Sequence, residues 1–155
     1  MKPVCSILPV RTMVYYRWID ATDLTSKLFF PRASQRKQDL FFSMFQRTTK
    51  EYLNGHGMGR HNKEEVYSIA KKDLQTLSDY LDVKPFVMGQ EPTTVDASVF
   101  GLLAEFVWQD KASPQNAAIH KDFKNLLGYC ERMKEKYWPD WDDTIAHRKK
   151  FHSEA

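Results

Sequence analysis

Thr93 and Asp96 stand three positions apart, a spacing that allows two different kinds of chemistry. A carboxylate beside hydroxyl groups could act as a general base. The same Thr-x-x-Asp spacing is typical of a reciprocal helix cap, in which the Thr93 hydroxyl accepts from the amide of Asp96 and the carboxylate accepts from the amide of Thr93. Because the cap accounts for both residues, we assign them a structural role and predict no catalytic residue.

Two imidazoles flank a glycine-rich stretch, at His56 and His61, and could hold a transition metal. No Cys, Asp or Glu lies between them to complete a ligand set. We therefore predict no metal site and interpret both residues as solvated histidines in a helix link. Arg60, in the same link, could pair with a carboxylate ligand or with the end of a neighbouring helix.

The aromatic residues form a further group with possible binding chemistry. Their rings could line a pocket for a small apolar ligand, although such rings in helical proteins usually pack in the core. We favour core packing and keep the ligand or partner surface as the alternative. The residues concerned are Tyr15, Tyr16, Trp18, Trp108, Trp138 and Trp141.

Composition excludes several classes of function. The 155 residues are 42% apolar and 28% charged, which predicts a folded chain with one compact core. A net charge of +3, with basic and acidic residues interleaved, does not indicate a nucleic-acid partner. The distant Cys5 and Cys130 form no metal or redox motif, and no apolar run approaches the ~18 residues of a membrane span. We expect a cytoplasmic protein.

Helical periodicity runs through every long segment, so the predicted class is all-α. Helix boundaries follow from capping residues, glycines and prolines. The first predicted helix extends from near Pro9 or Thr12 to Asp20, with a continuation over 24–29. The second runs from Ser34 as cap to the glycines at 55, 57 and 59, and the third runs from Asn62 as cap to Leu81. The fourth extends from Thr94 to Trp108, and the fifth covers the segment from Ile119 to Tyr137.

Apolar stripes indicate which side of each helix should be buried. The most apolar helix, starting at Thr94, is expected to be central, and the connector over 84–92 is expected to fold onto the core because it carries Phe86, Val87 and Met88. The stripe of the central helix comprises Val95, Val99, Leu102, Leu103, Phe106 and Val107, and that of the second helix comprises Leu40, Phe41, Met44, Phe45, Thr48, Tyr52 and Leu53. The inner face of the third helix comprises Val66, Ile69, Ala70, Leu74, Leu77 and Leu81, and that of the fifth comprises Ile119, Phe123, Leu126, Leu127, Cys130, Met133 and Tyr137.

These motifs resemble those of known proteins. Thr93-Thr94-Val95-Asp96 is similar to the cap that opens a buried helix in the C-terminal domain of glutathione S-transferases. The segments 15–20, 57–61, 71–81, 92–101 and 129–133 resemble the failed axon connections (Fax) family, whose relatives include the metaxins and the cadmium-responsive proteins. The resemblance covers about residues 13–141. It implies a bundle of five to six helices.

The resemblance also implies a domain organisation. Such proteins carry a thioredoxin-like domain, which binds glutathione, ahead of the helices, whereas about a dozen residues precede the first predicted helix here. We therefore expect an unmatched leader over 1–12, a transferase C-terminal-like helical domain over 13–146 and a polar tail over 147–155. No cofactor is expected, glutathione included, unless a thioredoxin-like domain is supplied.

The function expected from the resemblance is non-catalytic binding, with a role in axon development or cytosolic signalling. A helix face left uncovered by a thioredoxin-like domain should bind a protein partner or a second copy of the chain. The alternative is an enzyme, the electrophile-binding half of a glutathione-dependent transferase whose first domain lies elsewhere. A metal-response role, as in the cadmium-responsive relatives, is a third possibility.

Overall fold

The computed structural model describes residues 8–30 and 32–146, and these residues are helical with one isolated bridge, between Phe86 and Gly89. The all-α prediction is confirmed. The predicted leader up to residue 7, with Cys5, and the tail over 147–155 lie outside the described residues. The helices are α1 (Leu8–Tyr15), α2 (Thr22–Phe29), α3 (Gln35–Gly55), α4 (Lys63–Leu81), α5 (Thr94–Ala104), α6 (Pro114–Lys121) and α7 (Lys124–Tyr137).

The chain divides into two compact units, although the sequence pattern showed no boundary. The first unit contains the residues up to Thr76 together with Ala112–Gln115, and the second contains Leu77–Lys111 and the residues from Asn116 onward. The helix α4 contributes to both. A boundary inside a continuous helix carries no glycine, proline or change of composition, so sequence reasoning had no signal for it.

Packing in the first unit centres on the link between α3 and α4. Leu53, Met58 and Val66 are buried there, and side chains of the first helical segment and of α4 pack against them, namely Val14, Tyr15, Ile19 and Ile69. A π-helical segment, Tyr16–Asp20, continues α1. The predicted first helix is thus confirmed in extent, with a change of helix type that its periodicity did not reveal.

Two glycines make the α3 to α4 link possible. Gly57 has a φ of +87°, a left-handed conformation that other residues adopt at a cost. Gly59 lies against Asn54, and a Cβ at Gly59 would overlap the Asn54 side-chain oxygen and approach the Asn54 backbone nitrogen to 2.9 Å. The link therefore requires glycine at 59 for space and at 57 for backbone conformation.

Replacing Gly59 by Ala is expected to destabilise the chain by about 1 to 3 kcal/mol, because the added methyl group forces Asn54 away from the link. Urea unfolding monitored by circular dichroism measures the change. Gly55→Ala is the matched control, since nothing lies within 4 Å of a Cβ built at Gly55. Equal stability of the two variants would contradict the proposed close approach.

The start of α4 matches the prediction. Asn62 and Glu65 cap it reciprocally: the Glu65 amide donates to Asn62 Oδ1 at 2.9 Å, and the Asn62 amide donates to Glu65 Oε2 at 3.0 Å. The predicted inner face is also confirmed, with Val66, Ala70, Leu74 and Leu81 buried. Both features depend on local spacing, which sequence shows directly.

The orientation of α3 differs from the prediction. Its buried residues are Gln38, Phe42 and Leu53, while most of the apolar stripe faces outward. Ser34 precedes α3, yet its hydroxyl makes no capping hydrogen bond to the described helix; its carbonyl instead accepts from the Lys37 and Gln38 amides. The buried Gln38 side-chain amide donates to the backbone carbonyls of Phe30 and Ala33, both at 2.9 Å, in the link between α2 and α3.

The second unit is built on α5 and α7, which contact each other. The predicted start of α5 is confirmed, and Phe100, Leu103, Phe106 and Val107 are buried, although Phe100 was not in the predicted stripe. Val95 is exposed, so the first turns of α5 are less central than expected. A second π-helical segment, Glu105–Gln109, follows α5.

The remaining predictions for the second unit hold in part. The connector over 84–92 buries Phe86 and Val87 as expected, whereas Met88 is exposed. The predicted fifth helix is interrupted before Lys124 and forms α6 and α7. Tyr137, expected on its inner face, is exposed.

Candidate functional site

The Thr93 and Asp96 side chains form a cap at the start of α5. The Thr93 amide donates to Asp96 Oδ2 at 2.8 Å. The Asp96 amide donates in return to the Thr93 side chain, which completes the reciprocal cap. The other carboxylate oxygen, Oδ1, accepts from the Val87 amide at 2.8 Å. Asp96 therefore fixes the connector as well as the helix, a second role that its spacing alone did not indicate.

Electrostatics at this cap oppose acid–base chemistry. Burial raises the pKa of Asp96, but the hydrogen bonds from Val87 and Thr93 outweigh it and hold the pKa below its usual range. Both carboxylate oxygens already accept backbone hydrogen bonds. Nearby, the fully buried Tyr129 donates its phenolic proton to the Asp96 carbonyl at 3.0 Å. This hydrogen bond links α7 to α5. The contacts of Asp96 account for it as a structural residue.

The histidines of the α3 to α4 link lie in different surroundings. The His56 ring packs edge-on against Tyr52, with centroids 4.5 Å apart, whereas His61 Nδ1 lies 3.2 Å from Glu65 Oε2. Over the described residues no three His, Cys, Asp or Glu side chains come together as a metal site would require. Arg60 is exposed in the 3-10 turn Met58–Arg60.

Trp18 is the centre of an aromatic cluster in the first unit. Its half-buried indole stacks on Phe42, with centroids 5.2 Å apart, and contacts Phe45 at 5.4 Å and Phe29 at 5.7 Å. A neighbouring pair, Phe30 and Phe41, stacks at 5.8 Å. The cluster joins the π-helical segment, α2 and α3 through ring contacts.

The surface of α3 continues this cluster outward. Five large apolar side chains on one side of the helix stay accessible, and they define what we call the α3 stripe: Leu40 at 70% exposure, Phe41 at 45%, Met44 at 59%, Phe45 at 43% and Tyr52 at 44%. Two members, Phe41 and Phe45, rest on the rings beneath them. These five side chains therefore form an exposed apolar patch that rests on packed rings, and we treat it as the candidate surface of this unit.

Tyr15 and Tyr16 lie in the same unit but have other partners. Tyr16 is buried, and Tyr15 packs edge-on against Tyr67 at 6.3 Å. Tyr67 donates to Asp20 at 2.6 Å, and Lys63 pairs with the same carboxylate at 2.6 Å. Burial, then the hydrogen bond to Asp20 and the charge of that carboxylate, raise the pKa of Tyr67, so its phenol stays protonated and acts as a donor. These contacts fasten the first helical segment to α4.

Trp108 belongs to a cluster in the second unit. Its ring contacts Phe100 at 6.0 Å and Trp141 at 5.0 Å, and Phe100 stacks on Trp138 at 4.9 Å. The predicted aromatic group is therefore divided: Trp18 belongs to the cluster of the first unit, and Trp108, Trp138 and Trp141 belong to that of the second. Tyr15 and Tyr16 lie outside both clusters. Trp138 is 40% exposed, so this second cluster also reaches the surface.

A polar groove lies between α2 and α3, with a volume of about 200 Å³. Its lining includes Asp23, Ser26, Gln38 and Asp39, with Phe42 as a single ring. Pockets for apolar ligands are mostly apolar and reach about 300 Å³ or more. The groove is smaller and more polar than the pocket expected for such a ligand.

Cys130 is fully buried on α7, as its place on the apolar face predicted. Burial, together with the Glu131 charge, raises the pKa of its thiol to about 12. A thiol with so high a pKa is not a nucleophile near neutral pH. Over residues 8–30 and 32–146, no helix combines the length and the hydropathy that spanning a bilayer requires.

Comparison with known proteins places these features in context. A model of the family "Glutathione S-transferase, C-terminal domain" matches residues 70–133. Failed axon connections of Drosophila melanogaster is 43% identical over 104 residues, which cover 66% of this chain and 24% of that protein. No solved structure matches.

Two further relatives extend the comparison. Isoprene-epoxide–glutathione S-transferase of Rhodococcus is 34% identical over 85 residues, which cover 55% of this chain and 35% of the enzyme. Human metaxin-1 is 30% identical over 149 residues, which cover 88% of this chain and 30% of metaxin-1. The chain thus spans less than half the length of each of these three relatives. It carries a helical domain of the glutathione S-transferase C-terminal type and is a relative of failed axon connections and the metaxins.

Proposed function

We propose that this chain is a non-catalytic interaction domain that binds a protein partner through the α3 stripe. The observation that carries the proposal is the exposure of that stripe, with Leu40 at 70% and Met44 at 59%. Leaving such side chains in water is unfavourable by roughly 25 cal/mol per Å² of apolar area, so a partner that covers them gains binding free energy.

The state of the candidate base supports a non-catalytic role. Asp96 accepts hydrogen bonds on both oxygens and is fully buried, so its carboxylate is not presented to a substrate. The thiol of Cys130 is also buried. The function proposed here therefore depends on surface recognition, with no cofactor.

The cellular setting proposed is the cytoplasm, in signalling or in axon development. Its support is the name of the Drosophila relative, failed axon connections, which is 43% identical over the matched stretch. The partner or second copy that binds the α3 stripe would act in that setting.

A second candidate function is the electrophile-binding half of a glutathione-dependent transferase. The observation that favours it is the 34% identity to an isoprene-epoxide–glutathione S-transferase over 85 residues. Calorimetric titration with glutathione separates the two functions, because the interaction domain predicts no heat of binding. Saturable binding to the purified chain would favour the transferase.

The proposed partner surface can be tested by a single added charge. Met44→Glu is expected to remove most specifically co-purified protein when the chain is used as bait, since burying an unpaired carboxylate in an apolar interface is unfavourable. Ser68→Glu adds the same charge at an exposed position of α4 and is the control. Quantitative mass spectrometry measures both.

Two outcomes contradict the proposal. One is a partner set that is equally retained by wild type, Met44→Glu and Ser68→Glu. The other is loss of the partners from both variants alike, since that result would point to charge in general rather than to the α3 stripe.

A further inference from the structure

We propose that the polar groove between α2 and α3 is a binding site for an alkylguanidinium group. The groove lies within the first unit and has a volume of about 200 Å³. Because one water molecule occupies about 30 Å³, this volume is sufficient for a guanidinium group on a short alkyl chain. The inference goes beyond the function proposed above, since no residue of the α3 stripe lines the groove.

The buried donors of the lining are already used within the chain. Gln38, only 7% exposed, directs both Nε2 protons to backbone carbonyls, those of Phe30 and Ala33. The single hydroxyl proton of Ser26 lies between two acceptors, Gln38 Oε1 at 3.3 Å and the Asp23 carbonyl at 3.2 Å. The lone pairs on Gln38 Oε1 and Ser26 Oγ therefore outnumber the protons available to them.

The outer part of the lining repeats this excess of acceptors. The Ser43 hydroxyl donates to the Leu40 carbonyl at 2.8 Å, and Gln35 Nε2 donates to Asp39 Oδ1 at 2.8 Å. These protons are thus committed to the chain itself, while the second oxygen of Asp39 remains as an acceptor. A ligand that complements the groove must supply several donors.

The groove also carries negative charge that no cation of the lining balances. Asp23 and Asp39 are exposed carboxylates, and among the described residues the lining includes no lysine, arginine or histidine. In that part of the chain neither carboxylate forms an ion pair. The Gln35 amide that bonds to Asp39 is neutral and leaves the charge in place. The complementary ligand is therefore a cation.

The lining also distinguishes among cations. A metal site is not formed, since no three His, Cys, Asp or Glu side chains converge in the described residues. An ammonium group offers three donors from one point, whereas guanidinium offers five in a plane. The apolar wall of the groove is Phe42, whose ring is held by stacking on Trp18 at 5.2 Å. A planar cation can stack on an aromatic ring, so the lining favours guanidinium.

Titration of the isotope-labelled chain with ethylguanidinium, followed by nuclear magnetic resonance, tests the site. Amide signals of the groove residues should shift and saturate, with a dissociation constant on the order of 1 mM because the carboxylates are exposed. Ethylurea has the same shape without the charge and should cause no saturable shift. Equal affinity for ethylurea would overturn the proposal, as would ethylguanidinium shifts that never saturate.

Charge-removing variants locate the bound cation. Asp23→Asn and Asp39→Asn should each weaken ethylguanidinium binding about threefold, and the double variant about tenfold. Glu51→Gln removes an exposed carboxylate of α3 that does not line the groove, so it should leave the dissociation constant unchanged. Circular dichroism shows that each variant is folded. Equal weakening by Glu51→Gln would overturn the assignment, because the cation would then respond to the general charge of the helix.

The guanidinium group has two possible sources, a free small molecule and an arginine side chain of another protein. A glycyl-arginyl-glycine peptide with blocked ends separates them. Affinity equal to that of ethylguanidinium identifies the side chain as a ligand, whereas loss of binding in the peptide identifies a free molecule.

Met44→Glu separates this inference from the function proposed above, because it alters the α3 stripe and not the groove. It should leave the dissociation constant for ethylguanidinium unchanged, whatever its effect on co-purified partners. Loss of ethylguanidinium binding in a folded Met44→Glu chain would place the cation on the stripe and overturn the assignment to the groove.

Discussion

Replacing Asp96 by Ala is expected to lower the free energy of unfolding by about 3 kcal/mol, more than removal of an ordinary helix cap does. The carboxylate is fully buried and accepts from the amides of Thr93 and Val87, each at 2.8 Å. Without it, these amides lose their acceptor where water has poor access. Denaturant unfolding measures the loss.

The control for this substitution is Asp143→Ala, which removes a carboxylate from an exposed position. Such a surface change should stay within about 0.5 kcal/mol of wild type. If Asp96→Ala is no more destabilising than Asp143→Ala, the network around the connector does not contribute as the geometry indicates.

The pH dependence of this effect has a defined sign. Because the folded pKa of Asp96 lies below the ordinary value of 3.8, its contribution is fully present above that pH and is lost as the pH falls through the folded pKa. The stability difference between wild type and Asp96→Asn should therefore shrink below about pH 3.8. A difference that stays constant into stronger acid would show that the charge of Asp96 is not responsible.

Sequence predicted the parts of this fold that depend on neighbouring residues. The caps at Asn62 and Thr93 and the glycines after α3 are set by spacings of a few positions, so their roles could be read directly. The buried face of α4 followed from its periodicity. In each case the deciding interaction lies within the segment itself.

Features that depend on distant contacts could not be predicted in this way. Periodicity showed an apolar stripe on α3 but not whether another part of the chain covers it. Gln38, polar in sequence, is buried, and its side-chain amide donates to the carbonyls of Phe30 and Ala33 in the link before α3. Tyr129 was overlooked because its partner, the Asp96 carbonyl, is 33 residues away.

The candidate surface shows the same division. Trp18 was identified from its residue type, but its role as the ring beneath Phe45 depends on how α2 and α3 fold against each other. The apolar residues of α3 can be recognised as a surface only when their exposure in the folded chain is known. Sequence therefore indicated which residues could bind, and the structure was needed to show which of them remain accessible.

Replacing Trp18 by Ala is the second large effect expected, with a loss of about 2 to 3 kcal/mol in the free energy of unfolding. The indole is half-buried and contacts Phe29, Phe42 and Phe45, so its removal leaves a space that the π-helical segment, α2 and α3 cannot fully close. Trp18→Phe retains one ring and should lose less than half as much. Urea unfolding distinguishes the two variants.

Trp18→Ala and Met44→Glu together distinguish a residue that supports the α3 stripe from one that contacts the partner. Met44 is exposed, so Met44→Glu should leave the isolated chain nearly as stable as wild type while it abolishes binding. Trp18→Ala should reduce both stability and binding, because Phe45 loses the ring on which it rests. Full partner binding by a folded Trp18→Ala chain would mean that the aromatic cluster does not position the α3 stripe.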